Sequence, residues 1–188
     1  MRIITGKFKG RTLESLPDLS VRPATDRVKT TIFDMLQNRL RVIDAAVLDL
    51  FAGSGNLGFE ALSRGAKRIV FVDSNNHVLD IIEKNAEKLD CLSNTIIAQG
   101  DALLFAERTT DRFDLIFADP PYAYERIKDI PTVIFQKKIL KEEGYLIIEH
   151  SKHTIFEPSP DYKLAVQKEF GNTRVSFFVH PNDKGDEQ

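Results

Sequence analysis

At 188 residues, with 42% hydrophobic and 29% charged side chains, the chain has the length and composition of a single globular domain with a sizeable core. Its apolar runs are strand-sized, which excludes a transmembrane helix, and Met1-Arg-Ile-Ile-Thr-Gly-Lys7 lacks the apolar stretch of a signal peptide, so a cytoplasmic protein is expected. The lone Cys91 excludes an intrachain disulfide and a multi-cysteine zinc site; it reads as structural, and no metal is expected.

The net charge of −2 is unevenly spread. Residues 1–41 carry nine Lys or Arg against four acids, a net of +5, while the remainder carries 17 against 24, a net of −7. From Arg2 to Leu13, apolar and basic residues alternate around Gly6 and Gly10, which predicts a short hairpin or two edge strands forming an appendage outside the core. Arg22-Pro-Ala-Thr-Asp26 then leads into a helix, with Thr25 as its N-cap and Asp26 in its first turn. Val28, Ile32, Phe33, Leu36 and Leu40 recur at helical spacing and would bury one face, leaving Arg22, Arg27 and Lys29 on or near the exposed side. Basic residues gathered on one end of an acidic body suit phosphate contacts; a solvated charged hairpin is the plainer alternative.

Next comes Ala46-Val-Leu-Asp-Leu-Phe51, a buried strand, followed at once by Gly53-Ser-Gly-Asn-Leu-Gly58 and a helical run from Leu57 to Arg64 that stops at Gly65. Glycines there let the backbone turn tightly and approach a ligand, with the unpaired N–H groups of a helix start behind them. G-x-G-x-x-G alone is weak evidence, compatible with a dinucleotide site or a simple tight turn. The next strand, Arg68 to Asp73, ends in a carboxylate about twenty residues after the glycines, where a ribose diol is bound in such folds. A helix over Asn75 to Leu89 and a strand from Thr95 follow, and that strand runs into Asp101, itself the start of a short helix to Arg108. Asp101 alone reads most simply as a helix N-cap.

Phe113-Asp-Leu-Ile-Phe-Ala-Asp-Pro-Pro-Tyr122 is the segment richest in chemistry. Leu115 to Ala118 form a strand that Pro120 and Pro121 end by removing two backbone donors. Asp119 and the Pro120 carbonyl are acceptors and Tyr122 offers a flat face, a set suited to a planar ring bearing an amino group. By itself, the segment fits a Pro-Pro turn closing a core strand equally well. Four strand ends thus carry Asp49, Asp73, Asp101 and Asp119, and together they outline a cleft.

Beyond Tyr122 a helix must stop or break near Pro131, with a second helix over residues 132–140. Glu143 to His150 is a strand, and Tyr162–Phe170 and Thr173–His180 flank Gly171-Asn172, a two-residue hairpin turn. The β-α rhythm predicts a parallel sheet with helices on both faces, closed by an antiparallel hairpin. That ending counts against an NAD-type dehydrogenase, which would continue with a crossover helix. The expected organisation is a basic appendage over 1–41, a body over 42–180 and a frayed tail over 181–188.

Together the glycine loop, acidic strand ends, Asp-Pro-Pro-Tyr and closing hairpin resemble the class I S-adenosylmethionine-dependent methyltransferases, a Rossmann-like seven-stranded fold, in their amino-methylating branch. Arg2-Ile-Ile-Thr-Gly6, Arg22-Pro-Ala-Thr-Asp-Arg27, the run from Leu48 to Arg64, and Gly171-Asn-Thr173 are further similar to the bacterial RsmD family, which methylates a guanine 2-amino group of 16S ribosomal RNA. The resemblance covers nearly the whole chain, and the two N-terminal segments are its most family-specific parts. Asn56 departs from the Ala or Thr more usual there, which matters little where loop backbone does the binding. The resemblance implies that Asp49 and the loop Phe51, Ala52, Gly53, Ser54 and Gly55 hold the methionine part of S-adenosylmethionine, Asp73 and Ser74 the ribose, and Asp101 with Ala102 the adenine. It also implies that Asp119, Pro120, Pro121 and Tyr122 grip and stack the flipped base, and that Lys7, Lys9, Arg11, Arg22, Thr25 and Arg27 face the RNA, naked or in a small-subunit assembly particle. An adenine of DNA or a protein glutamine stays open as the acceptor, as does a binding module without catalysis. No broad apolar helix face is left over, so a monomer without an obligate protein partner is expected.

Overall fold

A computed structural model describes residues 1–15, 26–37 and 39–182. The proposed N-cap Thr25, together with Arg22 and all but the first two residues of the tail, lies outside that set. The elements run α1 (Asp26–Gln37), β1 (Ala46–Leu50), α2 (Asn56–Ser63), β2 (Arg68–Asp73), α3 (Asn76–Lys88), β3 (Thr95–Gln99), α4 (Ala102–Arg108), β4 (Phe113–Ala118), α5 (Asp129–Gln136), β5 (Leu140–Ser151), β6 (Lys163–Phe170) and β7 (Thr173–Val179). The strands form one seven-stranded sheet in the order β3-β2-β1-β4-β5-β7-β6. All neighbours are parallel up to β5, and the last two pairings, β5 with β7 and β7 with β6, are antiparallel.

Alternation along the strands decides which helices cover which face. Val47, Ile69, Phe71, Leu115 and Phe117 point into a core filled by α1, α2 and α3; Leu48, Val70, Ile116 and Ile148 point into a second core filled by α4 and α5. Both faces are dry, which is why the central strands read as continuous apolar runs rather than alternating ones.

Three expectations are corrected. Pro131 does not divide two helices: a 3-10 turn over Glu125–Lys128 leads into α5, which contains Pro131 as its third residue, and residue 140 already belongs to β5. A proline is tolerated in a first turn because the N–H it lacks has no intrahelical acceptor there. Second, the N-terminal hairpin is stitched into the core. Ile3 donates to the Arg11 carbonyl at 3.0 Å and Gly10 to the Ile3 carbonyl at 2.9 Å, as a hairpin should, but Ile3, Phe8 and Leu13 are buried among the side chains of the first core. Third, Lys29 is fully buried rather than near the surface. It shares a face with Ile32, Phe33 and Leu36 at the spacing of neighbouring turns, so the same periodicity that buries them carries its stem inward.

What receives that ammonium is a dry polar cluster under the start of α2. Lys29 Nζ donates to the Arg2 carbonyl at 2.6 Å and to Asn56 Oδ1 at 2.8 Å, and lies 3.4 Å from Glu60 Oε2. The buried Glu60 carboxylate also accepts the backbone N–H groups of Ile4 (2.8 Å) and Thr5 (3.0 Å) and Arg64 Nε (2.9 Å). Ser63 adds its carbonyl for the Lys7 N–H and its hydroxyl for the Phe8 N–H. Gly6, at φ +87°, lies so close to Ser63 that an added Cβ would overlap that carbonyl. The hairpin is therefore a strap held down on α2, one turn from the glycine loop.

Candidate active site

The carboxyl ends of the parallel strands lie along one edge, and β1 and β4 are adjacent in the middle of the sheet. The loop leaving β1 carries Phe51 (φ 59°), Gly53 (φ 52°) and Gly55 (φ 77°), three left-handed residues that reverse the chain into α2. Gly55 donates to the Ala52 carbonyl at 2.8 Å, and Ala52 donates to the Val72 carbonyl at 3.1 Å, which ties the loop to β2. A side chain on Gly53 would meet nothing nearer than the Phe51 carbonyl at 4.0 Å, so backbone there borders open space. A Cβ on Gly55 would instead strike the Phe59 ring at 2.6 Å, so this glycine is required by packing as well as by φ.

Asp49 points from β1 under this loop, 3% exposed, and accepts the Gly58 N–H at 3.0 Å, one of the free donors in the first turn of α2. Burial, reinforced by the charge of nearby Asp73 and opposed by the Gly58 hydrogen bond, pushes its carboxyl up to about 8. Asp73, at the tip of β2, accepts the Gly53 N–H through Oδ2 (3.0 Å) and the Asn75 N–H through Oδ1 (2.9 Å), so it braces the glycine loop from the side. Asp101 is exposed and caps α4 by accepting the Leu104 N–H at 2.8 Å, the plainer of its two readings, while Ala102 behind it is buried. Ser74 is exposed at the mouth and Ser54 is buried. Asp119 is half-buried directly after β4, Pro120 is buried, and Pro121 and Tyr122 are exposed. The Tyr124 N–H closes a turn onto the Pro121 carbonyl at 2.8 Å, which sets Tyr122 at the turn's tip.

The structure thus brings Asp49, Asp73, the glycine loop and Asp119 to one edge, with Asp101 at its flank. Lys7, Lys9, Arg11 and Arg27 are exposed, the first three on the strap and the last at the start of α1. Two further groups at this edge were given no role by the sequence reading. Tyr124 packs edge-on against Phe51, ring centroids 4.8 Å apart, and its buried hydroxyl has no hydrogen-bond partner among the described residues. Burial first, and then the charge of Asp101, raises its ionisation above the usual phenol range, so the hydroxyl stays a neutral donor. Thr173, at the start of β7, is hydrogen-bonded to Tyr122. The signal for Tyr124 was the spacing Tyr-x-Tyr after the prolines; Thr173 stood in the family-like Gly171-Asn-Thr173, but only the sheet register reveals its contact.

Strand order 3-2-1-4-5-7-6, a final antiparallel pairing and a glycine loop after the first strand define a class I methyltransferase fold. Residues 1–179 match the family described as Conserved hypothetical protein 95, and the chain belongs to it; this is the RsmD family that the sequence resembles. Bacillus subtilis YlbH is 35% identical over 182 residues, covering 95% of this chain and 98% of that one. The Haemophilus influenzae ribosomal RNA small subunit methyltransferase D is 32% identical over 185 residues, covering 97% and 94%. The solved structure of Escherichia coli yhhF superposes with a TM-score of 0.83 at 28% identity, over 96% of this chain and 97% of that one.

Proposed function

We propose that the protein transfers a methyl group from S-adenosylmethionine to the 2-amino group of a guanine in small-subunit ribosomal RNA. The observation that carries the reading is the position of Asp119-Pro-Pro-Tyr122 at the end of β4, next to the glycine loop that leaves β1. Ribosomal RNA as substrate rests on family membership and on the name of the Haemophilus relative.

The donors and acceptors fit the cofactor. The open space beside Gly53 suits the methionine end; a buried Asp49 suits an ammonium; Asp73 has lone pairs left for a diol, and Asp101 with the Ala102 amide suits an aminopurine edge. When bound, S-adenosylmethionine supplies an electrophilic methyl on a cationic sulfonium. The residues of the chain do the rest. Asp119 and the Pro120 carbonyl accept hydrogen bonds from the two amino hydrogens of the base, which localises a lone pair otherwise delocalised into the ring and aims it. Tyr122 stacks on the base once it has left its own stack, offsetting an unstacking cost of a few kcal/mol. Position and electrostatics supply the acceleration, and Asp119, already hydrogen-bonded to the amino group, takes the proton that the nitrogen sheds as it gains the methyl. The strap and the start of α1 offer Lys7, Lys9, Arg11 and Arg27 to phosphates, with Arg22 and Thr25 assigned to the same surface from the sequence.

The test is transfer of labelled methyl to small-subunit particles and to total RNA lacking the modification, followed by nucleoside analysis. A single 2-methylguanosine supports the reading in full. Label in 6-methyladenine or in protein would overturn the acceptor, and no label would overturn the reaction.

A further inference from the structure

Tyr122 is 45% exposed at the tip of its turn, yet its hydroxyl is 2.7 Å from Thr173 Oγ1, across 51 residues of sequence. Thr173 is the first residue of β7, level with Ser151 at the carboxyl end of β5 and with Phe170 at the end of β6. Because β7 runs opposite to β5, the Gly171-Asn172 turn before it comes to the edge where Asp119 sits. That turn is well fixed. Gly171 takes the left-handed conformation (φ 63°), the Lys152 N–H donates to the Asn172 carbonyl at 2.9 Å, and Arg174 Nε bonds Glu169 Oε2 at 3.0 Å across the hairpin.

We propose that Thr173 is a positioning residue for the target base: its hydroxyl fixes the Tyr122 ring in the plane on which the base stacks, making the terminal hairpin one wall of the substrate pocket. This rests on the reading of Tyr122 as the stacking residue. The physical reason is rotational. A tyrosine ring on an exposed turn samples several rotamers, and a base that must order the ring on arrival loses part of its stacking energy to that ordering. A hydrogen bond to a rigid strand end removes the cost beforehand. Thr173 acts through Tyr122, so its effect appears in the rate with bound base and not in cofactor affinity.

The experiment compares T173V, which keeps the branched shape and strand preference but removes the hydroxyl, with T173S, which keeps the hydroxyl, with Y122F and with the T173V/Y122F double variant. Single-turnover methyl transfer at saturating RNA is read beside cofactor affinity. The T173V rate is expected to fall by about three- to ten-fold, the worth of one exposed hydrogen bond, with unchanged cofactor affinity. T173S should recover most of the rate, and the double variant should be no slower than T173V alone. Additive losses, or an equal fall in T173S, would overturn the proposal. A second arm needs no turnover: with ring-labelled tyrosine, the Tyr122 resonances, identified by their loss in Y122F, should move towards those of a free ring in T173V and stay in place in T173S. Unmoved resonances in T173V would overturn the positioning role. A wild-type protein that transfers no methyl would defeat the reaction proposed above, while the resonances would still decide the role of Thr173.

Discussion

Asp49 is the residue in which burial matters most. Its carboxyl is held near 8 in the folded chain, whereas an unfolded aspartate titrates near 3.9. Between those values the folded state binds a proton that the unfolded state has released, so stability falls as pH rises from about 4 towards 8 and levels off above. The expected outcome is a thermal midpoint for the ligand-free protein that declines from pH 5 to pH 8, with a flatter profile for Asp49→Asn. A cationic ligand seated on Asp49 reverses the preference, so S-adenosylmethionine binding should release close to one proton at pH 7, measured as a buffer-dependent enthalpy. Asp119 differs in kind, being half-buried at the open edge. Asp119→Ala should abolish methyl transfer and leave cofactor affinity nearly intact; equal loss of both would make it a cofactor or folding residue.

At the scale of elements, the sheet was legible because its central strands are buried on both sides and therefore spell continuous apolar runs, and because Gly171-Asn172 specifies a turn by its own backbone preference. The strap and α1 were misread for one shared reason. A lysine on an apolar helix face says nothing about whether an acid waits for it, and Glu60 lies 31 positions further on, inside a helix that is buried throughout. Pairing makes that burial tolerable: burial alone lowers the Lys29 ionisation, and Glu60 opposes the shift. Lys29→Met should destabilise the fold by about 3 kcal/mol, the low end for breaking a buried pair, because Arg64 and two N–H groups still satisfy Glu60. Denaturant midpoints would check this, and Arg64→Ala, whose partly exposed head is screened, should cost less. The candidate site divides along the same line: Asp49, Asp73 and Asp119 were readable from their strand ends, whereas the Tyr122–Thr173 contact depends on the register of β5 with β7.

For the whole molecule, the charge asymmetry acquires a geometry. Lys7, Lys9 and Arg11 sit on a strap fastened to α2, and Arg27 at the start of a helix whose Lys29 is fastened there too, so these cations are presented as part of a rigid surface. Replacing Lys7, Lys9, Arg11 and Arg27 by Ala should reduce the dependence of log Kd for RNA on log salt by about 2 to 3, at roughly 0.7 per single-stranded phosphate contact. A slope that stays the same would move the RNA surface elsewhere on the molecule.

The fastening also sets a timetable for synthesis. Ile4 and Thr5 leave the ribosome well before their partners do: the carboxylate that holds their N–H groups belongs to residue 60, and the serine that grips Lys7 and Phe8 to residue 63. Such distant partners make a segment late to settle, because the intervening loop has to close first. The basic strap is therefore made before the residues that lock it, and it stays unfastened until they have emerged and folded. Throughout that interval, its cations sweep the surroundings of a ribosome that is itself made of RNA.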